Sequence, residues 1–155
     1  MYDSSFKTNE HKALIEKIFF NYIVPSLNER AIGHDSSKLE SPEKECVDKY
    51  TPLLKAVKEG TPEYEEIKKR MNAEGYEHHY AVNRHHPEHF KNGINDMNII
   101  DLVELTVDWI ADSKDSDESF SEELDSHAKK FSVPPMLKDI IANTYRDMKN
   151  SGWDL

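Results

Sequence analysis

The sequence predicts an all-α protein, and three observations carry that prediction. Apolar residues recur at helical spacing along most of the 155 residues, successive segments open on helix-start signals, and no run of four to eight residues alternates as a strand would. The expectation is a single helical bundle over residues 1–155, with about six to seven helices, a motif-bearing core in 8–112 and C-terminal helices in 119–152. A chain of this length forms one domain and can bury roughly 68–70% of its unfolded surface.

Taken in order, the first helix spans about Thr8 to Arg30, with Leu14, Ile15, Ile18, Tyr22 and Ile23 at helical spacing. Pro25 should kink it or split off a final turn. A short segment follows around His34 to Leu39. Ser41-Pro42-Glu43 reads as an N-cap, a first-position proline and a first-turn acid. Thr61-Pro62-Glu63 repeats that signal, and Thr51-Pro52 is a weaker version of it. The helix bearing Tyr64, Ile67 and Met71 on one stripe is expected to continue to His86, where Pro87 stops it. A polar loop at 92–96 precedes an apolar helix from about Met97 to Ala111. Ser119 with Glu122 forms a capping box for a helix ending near Phe131, and Pro134-Pro135 opens the last, ending near Gly152.

Composition removes several classes of function. Hydrophobic residues make up 37% and charged residues 32%, with mean hydropathy −0.80, so a polar surface is expected and no membrane span. Thirty acids against 20 bases give a net charge of −10, which leaves counterion release unable to drive binding to duplex nucleic acid. Met1 to Ser5 lacks the basic and apolar regions of a secretory signal. Cys46 is the single cysteine, which excludes an intrachain disulfide framework and a multi-cysteine zinc site, and makes the cytoplasm the expected location.

Histidine is the unusual count: eight in all, seven of them between His11 and His89. His11 shares a helical face with Ile15, Ile18 and Tyr22 and is expected to point inward, as a ligand or as a buried ring bonded to a carbonyl. His78, His79, His85 and His86 fall near the Tyr64–Ile67–Met71 stripe if one helix runs throughout. Four imidazoles on a core-facing surface need partners, since an unpaired buried polar group costs roughly 1–3 kcal/mol. Metal ions would satisfy several at once; a helix that ended early would instead leave half of them solvated. On the apolar helix, Asp101, Glu104, Asp108 and Asp112 share one narrow stripe uninterrupted by lysine or arginine. That stripe is either solvated or beside cations.

Between these elements lies Gly33-His34-Asp35-Ser36-Ser37-Lys38. The order His11, His34-Asp35, His85-His86, Asp101 resembles the HD-domain superfamily of metal-dependent phosphohydrolases, over about residues 11–108. The resemblance implies an all-α bundle with metal held by His11, His34, Asp35 and Asp101, further histidine ligands among His79, His85 and His86, and Lys38 near a substrate phosphate. Ser37 departs from the usual glycine of the dyad motif. More narrowly, His34 to Glu43 and Asn83 to His89 look like a phage and bacterial family with no assigned function; a phage-encoded member would act in the host cytoplasm.

The residue types agree with that chemistry. Imidazole and carboxylate without thiolate suit Mn, Fe, Co, Ni or Zn, one or two ions per chain. Such an ion lowers the pKa of bound water towards ~7 and offsets phosphoryl charge. Lys38 and Arg84 are candidate phosphate clamps, the one a point charge and the other a planar fork. Glu77, Glu104 and His89 are candidates for proton transfer, or alternatively for orienting a metal-bound histidine. The expected substrate is a small phosphate ester such as a nucleotide or cyclic nucleotide. An HD-type di-iron oxygenase and a non-catalytic, metal-stabilised interaction protein are the competing readings, and the sequence leaves room for a homodimer. Elsewhere plain structural readings are preferred: Cys46 as a small helix residue, His127 exposed, Trp109 and Trp153 as packing, and the run Asp112 to Asp125, with seven acids and one lysine, as solvated.

Overall fold

A computed structural model describes residues 4–113 and 119–152; Trp153 and residues 114–118 of the acidic run lie outside the described residues. The described chain is helical with no strand. It holds six helices when those joined through π turns are counted as one, so the all-α expectation stands. No described helix is long and apolar enough to cross a membrane. The chain divides after His34 into two compact units.

The N-terminal unit is one helical rod: α1 (Ser5–Ile18), a π turn (Phe19–Ile23) and α2 (Val24–Gly33). Pro25 explains the π turn. It has no N–H to give and crowds the turn before it, so the helix widens and Val24 N–H reaches back five residues to the Phe19 carbonyl. No residue of α1 or α2 is buried. His11 is therefore exposed, not inward-facing, and Ile15 and Ile18 are more than 40% exposed. Helical spacing identifies a shared face; it does not supply what would cover that face.

The second unit begins with a 3-10 turn (Ser36–Leu39) and α3 (Glu43–Ala56). Pro42 occupies the N-cap without a side-chain cap bond, so Ser41 is not the cap. Pro52 lies inside α3, so Thr51-Pro52 starts nothing. The chain continues through α4 (Pro62–Met71), a π turn (Asn72–Tyr76) and α5 (Glu77–Val82). Thr61 caps α4 as expected, its Oγ1 accepting from Tyr64 N–H. Gly75 is required in the π turn: a Cβ there would lie 2.5 Å from Cys46 Cβ. Cys46 itself is buried, and its Sγ donates to the Met71 carbonyl at 3.2 Å. Together with Tyr50 and Met71 it forms a small apolar cluster between α3 and α4.

Short 3-10 turns (Pro87–His89 and Gly93–Asp96) lead to α6 (Ile99–Asp112), α7 (Phe120–Lys130) and α8 (Pro135–Asn150). Asn98 caps α6, taking the Ile100 and Asp101 N–H groups, while the Asp101 carboxylate takes Asn98 N–H. The Ser119–Glu122 capping box opens α7 as expected. Leu105, Trp109 and Ile110 of α6 pack against Phe120, Leu124, Val133 and Ile141 to make the main apolar core. Trp109 is thus a packing residue. His127 is half-buried, its ring stacked 4.4 Å from Trp109 at an interplanar angle of 8°, rather than exposed.

Candidate metal centre

The centre is assembled from a left-handed turn, one short helix, the loop after it and α6. Asp35 has φ 54°, a conformation that aspartate tolerates better than most residues, and this sharp turn opens the Ser36–Leu39 segment. Lys38 returns over the turn: its N–H meets the Asp35 carbonyl and its ammonium the Asp35 Oδ2 at 2.5 Å. The pairing leaves Oδ1 facing inward. Burial alone would lower the Lys38 pKa, but the Asp35 hydrogen bond and charge outweigh it and raise the value.

Helix α5 ends at Val82, four residues earlier than periodicity suggests. Asn83 turns to extended geometry (φ −105°, ψ 109°), and its side-chain amide donates to the His79 carbonyl at 2.9 Å and to Ser37 Oγ at 2.8 Å. His85 and His86 thus stand on a turn rather than on the helix. They meet His79 all the same. Asp35 Oδ1 lies 3.4 Å from both His79 Nε2 and His85 Nε2, and His86 Nε2 lies 2.8 Å from His79 Nε2. One donor atom from each of these four residues lies within 4.8 Å of all the others, so the group could hold a metal ion.

Two buried carboxylates orient the cluster from behind. Glu43, 2% exposed, accepts from His79 Nδ1 at 2.8 Å, from His78 Nδ1 at 2.7 Å and from Ser37 Oγ at 2.8 Å. Its pKa, which burial would raise, is lowered by those hydrogen bonds. Glu104 stands 3.2 Å from His85 Nδ1. An ionised carboxylate can only accept, so Nδ1 of His79 carries the proton and its Nε2 presents its lone pair to the cluster. Histidine ligands of metals are commonly held in this way. Burial, then Glu43, Lys38 and Asp35 in opposing senses, leaves the His79 pKa lowered; burial and the charges of His85 and His79 push that of His86 down to about 3. Neutral imidazoles at pH 7 are competent ligands. Nitrogen lone pairs and a carboxylate oxygen directed at one point repel one another, and a cation there turns the repulsion into binding.

The acidic stripe of α6 serves as a rack for the 84–86 turn. Asp101, fully buried, receives a two-pronged bond from Arg84, Nε to Oδ1 at 2.9 Å and Nη2 to Oδ2 at 2.8 Å, in addition to capping α6. This corrects two expectations. Asp101, expected as a metal ligand, meets Arg84 and the helix cap, and Arg84, expected as a phosphate clamp, meets Asp101. One turn on, Glu104 serves His85. Of the other expected proton-transfer residues, Glu77 is exposed at the start of α5, and His89 Nδ1 donates to the Tyr80 carbonyl at 3.2 Å. His34, half-buried, ends the N-terminal unit one residue before Asp35.

Sequence reading missed Glu43, Ser37 and Asn83. The signal for Glu43 was the need of a ligating histidine for a carboxylate behind it. That need points to the acids at 40–45 without choosing among Glu40, Glu43 and Glu45.

Residues 1–147 match a family model described as a family of unknown function, DUF5662, and the chain belongs to that family. No curated protein and no solved structure gives a significant match.

Proposed function

We propose that this DUF5662 member is a metal-dependent phosphohydrolase of small phosphate esters. The carrying observation is the convergence of Asp35 Oδ1, His79 Nε2 and His85 Nε2, each with its other polar atom held by Lys38, Glu43 or Glu104. The donor set, imidazole nitrogen and carboxylate oxygen, fits a divalent transition metal. When bound, such an ion supplies a water of lowered pKa and positive charge against phosphoryl oxygens. The chain's own residues do the rest. Lys38 keeps its charge and is about one-third exposed, so hydrogens beyond the one directed at Asp35 remain for a substrate oxygen. Glu43 and Glu104 fix the rings before anything binds, so little reorganisation is left for the reaction itself.

The phosphate assignment draws on the HD-superfamily resemblance, and His11 enters the ligand set through that resemblance alone. The test is elemental analysis of protein purified without chelator, followed by hydrolysis of nucleotides, cyclic nucleotides and p-nitrophenyl phosphate esters with Mn, Fe, Co, Ni or Zn. About one ion per chain and turnover abolished by Asp35→Ala are expected. Turnover unaffected by chelator and by Asp35→Ala would overturn the assignment.

A further inference from the structure

We infer that Asp35, His79 and His85 are the protein ligands of the ion, and that His86 is a catalytic residue facing the coordination position these three leave open. The inference deepens the proposed function and rests on it only for the presence of an ion.

The distances set the contact of His86 with His79 apart from the contacts of Asp35 with His79 and His85. Two ligands each about 2.1 Å from a tetrahedral ion stand about 3.4 Å apart. Asp35 Oδ1 stands 3.4 Å from His79 Nε2 and 3.4 Å from His85 Nε2. The His79–His86 separation of 2.8 Å is too short for such a pair and is an ordinary hydrogen-bond length.

Hydrogen-bond accounting agrees. Because Glu43 takes the Nδ1 proton of His79, His79 Nε2 is the acceptor in that short contact and His86 Nε2–H the donor. A nitrogen that carries hydrogen is not a ligand. His79 has one lone pair, so an ion that takes it releases the His86 N–H towards whatever else occupies the ion. The surroundings differ as well: Glu43 bonds His79 and Glu104 approaches His85, whereas His86 is set among its neighbours' rings, 4.7 Å from that of His79 and 4.1 Å from that of His85, with Tyr80 at 5.1 Å, and the carboxylates of Asp108 and Asp35 act on it through charge. Three protein ligands and one open position make the arrangement that catalytic zinc sites use, as opposed to closed structural ones.

The experiment loads the full chain with Co(II), follows its visible absorption, and then titrates inorganic phosphate as the probe. His86→Ala and His86→Asn should hold one Co(II) per chain with affinity within about threefold of the parent. Both should bind phosphate at least about tenfold more weakly, the loss expected when one hydrogen bond to a charged group is removed. His79→Ala and His85→Ala should lose Co(II) outright. Far-UV circular dichroism establishes that each variant is folded, and the asparagine variant stands in should the alanine variant unfold. Loss of Co(II) from the folded His86 variants would make His86 a ligand and overturn the inference. Unchanged phosphate affinity in those variants would equally overturn it. If the parent binds Co(II) and phosphate yet hydrolyses no phosphate ester, the phosphohydrolase reading fails, and the inference still stands or falls on the two titrations.

Discussion

Helix α6 divides the second unit into two regions built on opposite principles. On one side Leu105, Trp109 and Ile110 enter an apolar core with α7 and α8, held by area removed from water. On the other, Asp101 and Glu104 engage Arg84 and His85, and the packing is almost wholly polar, with every bond aimed. The apolar side tolerates a range of side chains of similar volume. The polar side does not, since each buried charge there depends on particular partners. The apolar core and the candidate metal centre therefore sit on two faces of the same helix, and substitutions should separate them.

The largest expected effect on the apolar face is that of Leu105→Ala. Leu105 is fully buried, and its truncation should cost about 2–5 kcal/mol, read as a lowered denaturation midpoint with an unchanged slope. In whatever fraction remains folded, Co(II) affinity should be near that of the parent. On the polar face, Arg84→Ala strands the Asp101 charge in the interior and should cost about 3 kcal/mol. Adding Asp101→Asn removes that charge and should restore part of the loss. Additive losses in the double variant would mean that the pair does not act as a unit.

Glu43→Gln isolates site from fold more finely. The helical content should persist while metal affinity drops about 10- to 100-fold, because the amide no longer fixes the Nδ1 proton of His79. An affinity unchanged by Glu43→Gln would make Glu43 a packing residue. A separate effect lies in the response to acid of the metal-free protein. The His86 pKa is pushed down to about 3 from 6.5, and that of His79 is also lowered. Between those values the unfolded chain binds more protons than the folded one. The contribution of the two rings is therefore fully present above about pH 6.5 and is lost as pH falls towards 3. His86→Asn should flatten that decline in urea midpoints measured at successive pH values.

The same division explains what was legible in the sequence. Elements that rest on local signals were readable: Thr61-Pro62 and Ser119 with Glu122 start helices where expected, and the apolar period of α6 marks the helix that carries the core. Asp35, His79, His85 and His86 were singled out as ligands, and the structure brings them together. The route by which they meet was not readable. A π turn at 72–76 shifts the register, α5 stops at Val82, and the two histidines arrive on a turn held by Asn83. A helical wheel assumes one period throughout and cannot anticipate either change. The resemblance makes Asp101 a ligand, yet its carboxylate meets a guanidinium 17 residues upstream. Glu43 reads locally as a first-turn acid, because nothing local shows that His78 and His79 lie behind it.

Metal content measures the central claim most directly. Parent protein and Asp35→Ala, purified in parallel without chelator and reconstituted with Co(II), are desalted and assayed for cobalt. The geometry calls for about one ion per chain in the parent, with four-coordinate absorption in the visible, and less than about a tenth of an ion in Asp35→Ala. Equal cobalt in the two proteins, or none in the parent, would contradict a metal centre at Asp35, His79 and His85.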